Sequence, residues 1–290
     1  MFSHHDEIAS PGYYAVTLGD EGIKVELSAT THVGLHRYSF SKGGLATVII
    51  DLAHSLDNEH IYEAQLHQTA SNEISGMRCT RGWTDNQYVY FVAQFSKPFK
   101  SGLIKDNQLI ADSLAVGNNL QAILSFENGD SEPIVAKVAI SLVSVENARE
   151  NMASEVNNFD FDAVHASAIA QWNDALSAIT VTGGTPGDYR NFYTAMYHSM
   201  VVPNTVSDVN GQFRRHNMQI GQLPQGKVQY STFSLWDTFR AWNPLMTLID
   251  TGLVNNMINS FLEIYAASGE LPIWPLSAGE TGTMIGYHSA

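Results

Sequence analysis

Residues 134–144 read IVAKVAISLVS, and residues 145–155 read VENARENMASE. In the first stretch Ile134, Ala136, Val138, Ile140 and Leu142 recur at every second position, the period of a strand with one face buried. Past residue 145 the period lengthens towards 3.6, that of an amphipathic helix. This switch decides the fold: strands lie on its N-terminal side and helices on its C-terminal side.

Upstream, Ile23, Val25 and Leu27 alternate with Lys24, Glu26 and Ser28. Thr47 to Leu52 (TVIIDL) is a continuous apolar run, as in a strand buried on both faces. Tyr88 to Phe95 (YVYFVAQF) is aromatic and β-branched, with Pro98 beyond it. Leu120, Ala122, Leu124 and Phe126 alternate again, and Asn128-Gly129-Asp130 forms the turn that closes them. Many short strands with such punctuation predict an antiparallel β-sandwich.

Downstream, Asp160 or Asp162 caps a helix carrying Val164, Ile169, Trp172 and Leu176 on one face. The stretch 182–187 (TGGTPG) is a loop. Asp188 opens a second helical segment with Phe192, Met196, Tyr197 and Met200, stopped by Pro203. A third holds Phe233, Trp236 and Arg240 at helical spacing up to Asn243-Pro244. A fourth, from Val254 to Ala267, buries Met257, Ile258, Phe261, Leu262 and Tyr265 and ends at Gly269. The reading is a β-sandwich over 1–145, linker helices over 146–187 and part of a helical domain over 188–290.

The 290 residues carry a net charge of −14, with 44% apolar and 15% charged residues. That supplies a core and excludes wholesale disorder. A negative field repels phosphate backbones, so no nucleic-acid partner is expected, while a neutral polar ligand such as a sugar remains open. Cys79 is the only cysteine, so no intrachain disulfide and no cysteine zinc box can form. No apolar run reaches the roughly 20 residues of a membrane span. The opening Met1-Phe2-Ser3-His4-His5-Asp6-Glu7 is polar and acidic and contains no signal peptide. Dinucleotide, phosphate-loop, serine-hydrolase and HExxH motifs are absent. Residues 157–162 (NNFDFD) do not fit an EF-hand and read as helix capping.

Two stretches could carry chemistry. In 230–240 (YSTFSLWDTFR) Asp237 and Arg240, three apart on a helix, can pair, and Trp236 sets a flat apolar face beside a carboxylate. A core tryptophan with a local ion pair explains the same residues. In 270–281 (ELPIWPLSAGET) two prolines and a glycine hold Trp274 in a non-helical segment just before Glu280. A carboxyl among weakly solvated aromatics can serve as a general acid. A first-turn glutamate at a helix start is the alternative. His198 and His288 each follow a tyrosine and read as satisfied core histidines, whereas His4, His5 and His165 read as surface residues.

Taken in order, these pieces resemble the calcium-dependent exo-α-mannosidases of glycoside hydrolase family 92. The matching residues are Phe2-Ser3-His4, Pro11-Gly12-Tyr13-Tyr14, His36-Arg37-Tyr38, Phe95-Ser96-Lys97-Pro98-Phe99, Ser144-Val145-Glu146 and Trp172-Asn173. They continue with Phe192-Tyr193-Thr194-Ala195, Tyr197-His198, Pro203-Asn204, Ser234 to Arg240, Trp274-Pro275-Leu276, Gly279-Glu280-Thr281 and Met284 to His288. The resemblance implies a β-sandwich joined by linker helices to the first part of an (α/α)6 barrel. It implies an inverting, calcium-requiring removal of terminal mannose from glycans, in the periplasm or outside the cell. It sets Glu280 at the general-acid position, and Trp236, Asp237, Arg240, Trp274 and His288 around the sugar. It also implies that the first strands lie upstream, and that the base carboxylate, the calcium ligands and the remaining barrel helices lie downstream. The chain then reads as a fragment with little activity of its own. Gly279 and Thr281-Gly282-Thr283 depart from the family's commoner residues there. Two other readings fit the same residues: a non-catalytic carbohydrate-binding sandwich, and a different carbohydrate-active enzyme on an (α/α)6 barrel.

Overall fold

The computed structural model describes residues 2–19, 21–41, 43–56, 59–129 and 132–290. Met1 and Asp130, which entered the reading of the N-terminus and of one turn, lie outside them. The chain divides into two compact units, Met1–Gly82 with Tyr88–Ile169, and Trp83–Gln87 with Ala170–Ala290.

The strands of the first unit are, in order, β1 (Glu7–Ser10), β2 (Tyr13–Leu18), β3 (Ile23–Ala29), β4 (Val33–Ser39), β5 (Gly44–Asp51), β6 (His60–Ala70) and β7 (Glu73–Arg81). They continue as β8 (Gln87–Phe95), β9 (Lys100–Lys105), β10 (Gln108–Ile110), β11 (Leu114–Gly117), β12 (Leu120–Asn128) and β13 (Ile134–Ser141). One antiparallel sheet runs β1-β2-β3-β4-β13-β8-β7-β6-β11 and a second runs β10-β9-β12-β5. Leu66, Ile74, Phe95 and Ile134 of the larger sheet share a core with Leu103, Leu120, Leu124 and Phe126 of the smaller. Two layers closed over one apolar core make the expected sandwich.

Two strand readings need correction. The TVIIDL run is not buried on both faces: β5 is an edge strand, and its Ile49 is 62% exposed while Ala46 faces the core. In β13, conversely, Lys137 is buried and Ile140 is half-exposed. β13 lies between β4 and β8, and its second face is covered by α1 (Val145–Glu155). Ala148, Met152 and Val156 of that segment pack on Val33, Leu35, Val92 and Ala139. Lys137 survives beneath it because its Nζ donates to the Val156 carbonyl (3.1 Å) and lies 4.7 Å from the Phe159 ring.

The helix signals hold with shifted edges. Ser144 caps α1, and Asp160 caps α2 (Phe161–Leu176) through the Ala163 N–H (3.0 Å). Ile169 is 40% exposed, so the stripe read on α2 is not buried throughout. The next helix, α3 (Pro186–Ser199), starts two residues before Asp188: Thr185 caps it, with Asp188 completing a capping box. Then come four short strands, β14 (Asn204–Thr205), β15 (Gln212–Arg214), β16 (Ile220–Gln222) and β17 (Tyr230–Ser231), paired β14 with β17 and β15 with β16. None of them was legible in the periodicity.

The third segment is only a single turn, α4 (Leu235–Thr238), followed by α5 (Trp242–Ile249). Pro244 falls within the first turn of α5, where its missing N–H costs nothing, so it does not stop a helix there. The fourth segment is α6 (Thr251–Ser268), closed by Gly269 in the left-handed region at φ 83°. Met257 and Ile264 are buried, but Ile258, Leu262 and Tyr265 of the expected stripe are exposed. The last pair is β18 (Pro275–Leu276) with β19 (Gly279–Glu280).

Candidate active site

The site is built around the β18–β19 hairpin, whose turn is Ser277-Ala278, with Ser277 at φ 56°. Ser231 Oγ donates to the Ser277 carbonyl (2.9 Å) and the Thr232 N–H donates to the Pro275 carbonyl (3.0 Å), so β17 fixes the hairpin. Glu280 leaves the hairpin with its side chain turned back on the preceding strand. One carboxylate oxygen accepts from the Ile273 N–H (2.9 Å). The other accepts from the N–H groups of Trp274 (2.8 Å) and Gly282 (3.3 Å).

Trp274 is held at the opposite end of its ring, where Nε1 donates to Ser234 Oγ (2.9 Å), and Ser234 Oγ donates to Asp237. The Trp274 ring lies 4.7 Å from that of Trp83, tilted by 35°. Trp83 Nε1 donates to Thr283 Oγ1 (2.9 Å), although the Trp83 side chain is more than half exposed. An exposed indole fixed by a ring contact and a hydrogen bond is a pre-ordered apolar platform. Beside it opens a cleft of about 290 Å³, lined by Trp83, Thr84, Asp85, His216, Met218 and Glu280, among others.

A second cluster adjoins Ser234. His288 stacks on Phe239 (4.1 Å, 6°) and lies 5.6 Å from Trp236. The Arg240 guanidinium sits over both Trp236 (5.0 Å) and Phe239 (4.8 Å). Ser234 thus joins Asp237 to Trp274 and Glu280, while Trp236, Arg240 and His288 gather around Phe239, and of these residues only Glu280 lines the cleft.

Three residue readings are corrected. Asp237 and Arg240 do not pair, because α4 ends at Thr238 and the guanidinium turns onto the aromatic faces instead. His288 is not a satisfied core histidine, since its buried Nε2 has no hydrogen-bond partner among the described residues. His198 is exposed rather than buried. Sequence reading missed Trp83, Thr84, Asp85 and His216. A tryptophan within Arg81-Gly82-Trp83-Thr84-Asp85-Asn86, where turn formers dominate, was the available signal.

Among the described residues no three His, Cys, Asp or Glu side chains converge on a point that could hold a metal ion. The described residues therefore offer no such cluster for the calcium that the resemblance implies. No helix is long and apolar enough to cross a membrane among the described residues.

Comparison with known proteins returned no match among curated sequences. The Glycosyl hydrolase family 92 N-terminal domain model matches residues 1–141, and the Glycosyl hydrolase family 92 catalytic domain model matches residues 147–290. Among solved structures, a family GH92 alpha-mannosidase from Bacteroides thetaiotaomicron is 34% identical with a TM-score of 0.94 over 99% of this chain. It has also been solved in complex with mannoimidazole. A family GH92 inverting mannosidase from the same bacterium is 28% identical, with a TM-score of 0.89 over 99% of this chain. The chain spans 40% of the length of the first and 39% of the second. A bacterial glucoamylase at 12% identity and a TM-score of 0.51 shares the fold alone. With both halves matched in order and nearly every residue superposed on such structures, the chain belongs to glycosyl hydrolase family 92.

Proposed function

We propose that the protein carrying this chain is a glycoside hydrolase that removes terminal α-linked mannose, with inversion, and that the cleft beside Trp83 and Glu280 forms part of its saccharide site. The observation that supports this most is the likeness over 99% of the chain to an α-mannosidase at 34% identity. The cleft chemistry agrees with it: an immobilised indole for a sugar face, and carboxylates, an imidazole and a hydroxyl for its rim. Calcium dependence and export rest on the family resemblance.

Within this reading Glu280 is a positioning residue. Its two oxygens are engaged by three backbone N–H donors that tie the β18–β19 hairpin to Trp274. To act as the general acid that the resemblance implies, the carboxyl would have to leave that cradle and carry a proton. The same cradle is compatible with a cleft that binds a sugar without cleaving it, although the non-catalytic alternative read from the sequence lay in the sandwich and not here.

The test is mannose release by the whole protein that carries this chain, from an α-linked mannobiose and from an activated aryl mannoside, for wild type and Glu280→Gln. A positioning role predicts similar losses on both substrates and a lower melting temperature, because Gln places an N–H₂ against a backbone donor. A loss confined to the mannobiose, whose leaving group needs protonation, restores the acid role. No mannose release by wild type refutes the hydrolase reading.

A further inference from the structure

Two residues that line the cleft, Thr84 and His216, make no side-chain hydrogen bond to a described residue. The first is Thr84. Its side chain is buried, 3% exposed, and Oγ1 makes no hydrogen bond among the described residues. A buried hydroxyl without a partner bears its full desolvation penalty, which calls for a group that meets it. Thr84 is also held in place. A Cβ on Gly279 would come 3.2 Å from Thr84 Cβ and 3.5 Å from Cγ2, so the glycine is what lets the threonine sit there.

The second is His216, in the turn between β15 and β16. That hairpin is rigid for reasons unrelated to the cleft. Phe213 anchors it in the core at 2% exposure, and Gly221 lets the ring lie flat, since a Cβ there would meet Phe213 at 2.6 Å. Arg215 ties the turn to Glu263 of α6 (3.3 Å). The imidazole itself is half-buried and makes no hydrogen bond to a described residue. Burial holds its pKa below the ordinary 6.5, against the pull of the Glu280 charge. A neutral imidazole offers one donor and one acceptor, as adjacent sugar hydroxyls require.

We propose that Thr84 Oγ1 and the His216 imidazole are a specificity-determining pair that hydrogen-bonds hydroxyl groups of the saccharide, with Gly279 as the position that admits Thr84 to the cleft. This rests on reading the cleft as a saccharide site, but not on mannose being the sugar.

The proposal separates binding from stability in a way a structural role cannot. Thr84→Val keeps the shape and removes the orphan hydroxyl. It should leave the melting temperature of the 290-residue chain unchanged or raised. It should also weaken the binding of methyl α-mannoside, followed by ligand-observed NMR, by about fivefold to tenfold, the worth of one neutral hydrogen bond. His216→Ala should weaken binding to a similar degree, and His216→Gln, which keeps a donor and an acceptor, should restore part of it. The same series is run with methyl α-glucoside and methyl α-galactoside. Loss of glucoside or galactoside binding in the variants, with no mannoside binding by wild type, supports the pair and overturns the mannose reading. Unchanged affinity in both variants, a lowered melting temperature in Thr84→Val, or no binding of any of the three glycosides by wild type overturns the pair. The hydrolase reading is judged separately, by mannose release.

Discussion

Glu26 shows how one side chain can be misjudged from its neighbours. In the alternation of β3 it occupies a polar, outward position, yet it is 5% exposed. Arg37 on β4 covers it, with Nε donating to Oε2 (2.8 Å) and Nη2 donating to Oε1 (2.9 Å), and Tyr13 Oη donates to Oε1 (2.8 Å). Arg37 also reaches Asp162 (2.8 Å) and stacks over Phe161 (4.3 Å), so α2 closes the top of the pair. The Arg37 hydrogen bonds, working against burial, hold the Glu26 pKa at about 2, below its ordinary 4.5. A folded-state pKa below the unfolded one gives stability that is fully present above pH 4.5 and is lost as pH falls towards 2. Glu26→Gln should therefore cost about 2–3 kcal/mol at pH 7, short of the full penalty for breaking a buried pair because Arg37 keeps Asp162. Most of that cost should be gone by pH 2. Urea unfolding of both proteins across pH 2–7 checks it, and a gap that stays constant down to pH 2 would refute the linkage. Period two cannot reveal such a residue, because Tyr13 and Arg37 come from the two neighbouring strands, and the helix that closes over Arg37 lies more than a hundred positions away.

At the scale of elements, close approach separates glycines that the sequence leaves indistinguishable. Gly76 in β7 lies against β6, where an added Cβ would meet the Gln65 carbonyl at 2.2 Å and the Phe91 ring at 2.8 Å. Gly252 in the first turn of α6 has only Asp250 Oδ1 within range, at 3.5 Å. Gly76→Ala should then destabilise by about 2–3 kcal/mol or more, since neither a backbone carbonyl nor a core ring can give way. Gly252→Ala should be neutral or stabilise by up to about 1 kcal/mol through helix propensity. Equal effects in denaturant melts would show that crowding at Gly76 is relieved by strand movement. Legibility at this scale follows from how local the determinants are. Strands β3, β8, β12 and β13 and the caps of α2 and α6 are written within a few residues, so periodicity and capping find them. The pairs β14–β17 and β15–β16 contribute only two or three residues per strand, too few for a period to register. The site divides in the same way. Trp274 and Glu280 were visible as an aromatic and a carboxyl within one short, proline-bounded segment. Trp83, Thr84 and His216 reach the cleft beside Glu280 from stretches up to about two hundred positions away, so only the fold assembles them.

Across the molecule, charge and apolar exposure oppose each other. The net charge of −14 favours separation of copies. Ile258, Leu262 and Tyr265 lie at i, i+4 and i+7 of α6 and are 50%, 56% and 54% exposed, and Leu248 of α5 is 82% exposed. A stripe of that kind on one helix face is the pattern of a surface that gains by being covered. At low ionic strength the field of like charges extends tens of ångströms and resists association, whereas at 0.15 M salt it is screened within about 8 Å and the apolar gain decides. Self-association of this chain should therefore increase with salt, the reverse of an association driven by opposite charges. Ile258→Lys combined with Leu262→Glu breaks the stripe without changing the net charge. Because both sites are exposed, the double substitution should move folding stability by no more than about 1 kcal/mol. Sedimentation velocity from 0.02 M to 0.5 M salt should show the wild-type sedimentation coefficient rising while that of the double variant stays flat. If wild type and variant rise together, the α6 stripe is not the surface through which copies meet, and the exposed apolar residues of β5 and β10, Ile49 and Leu109, become the place to substitute next.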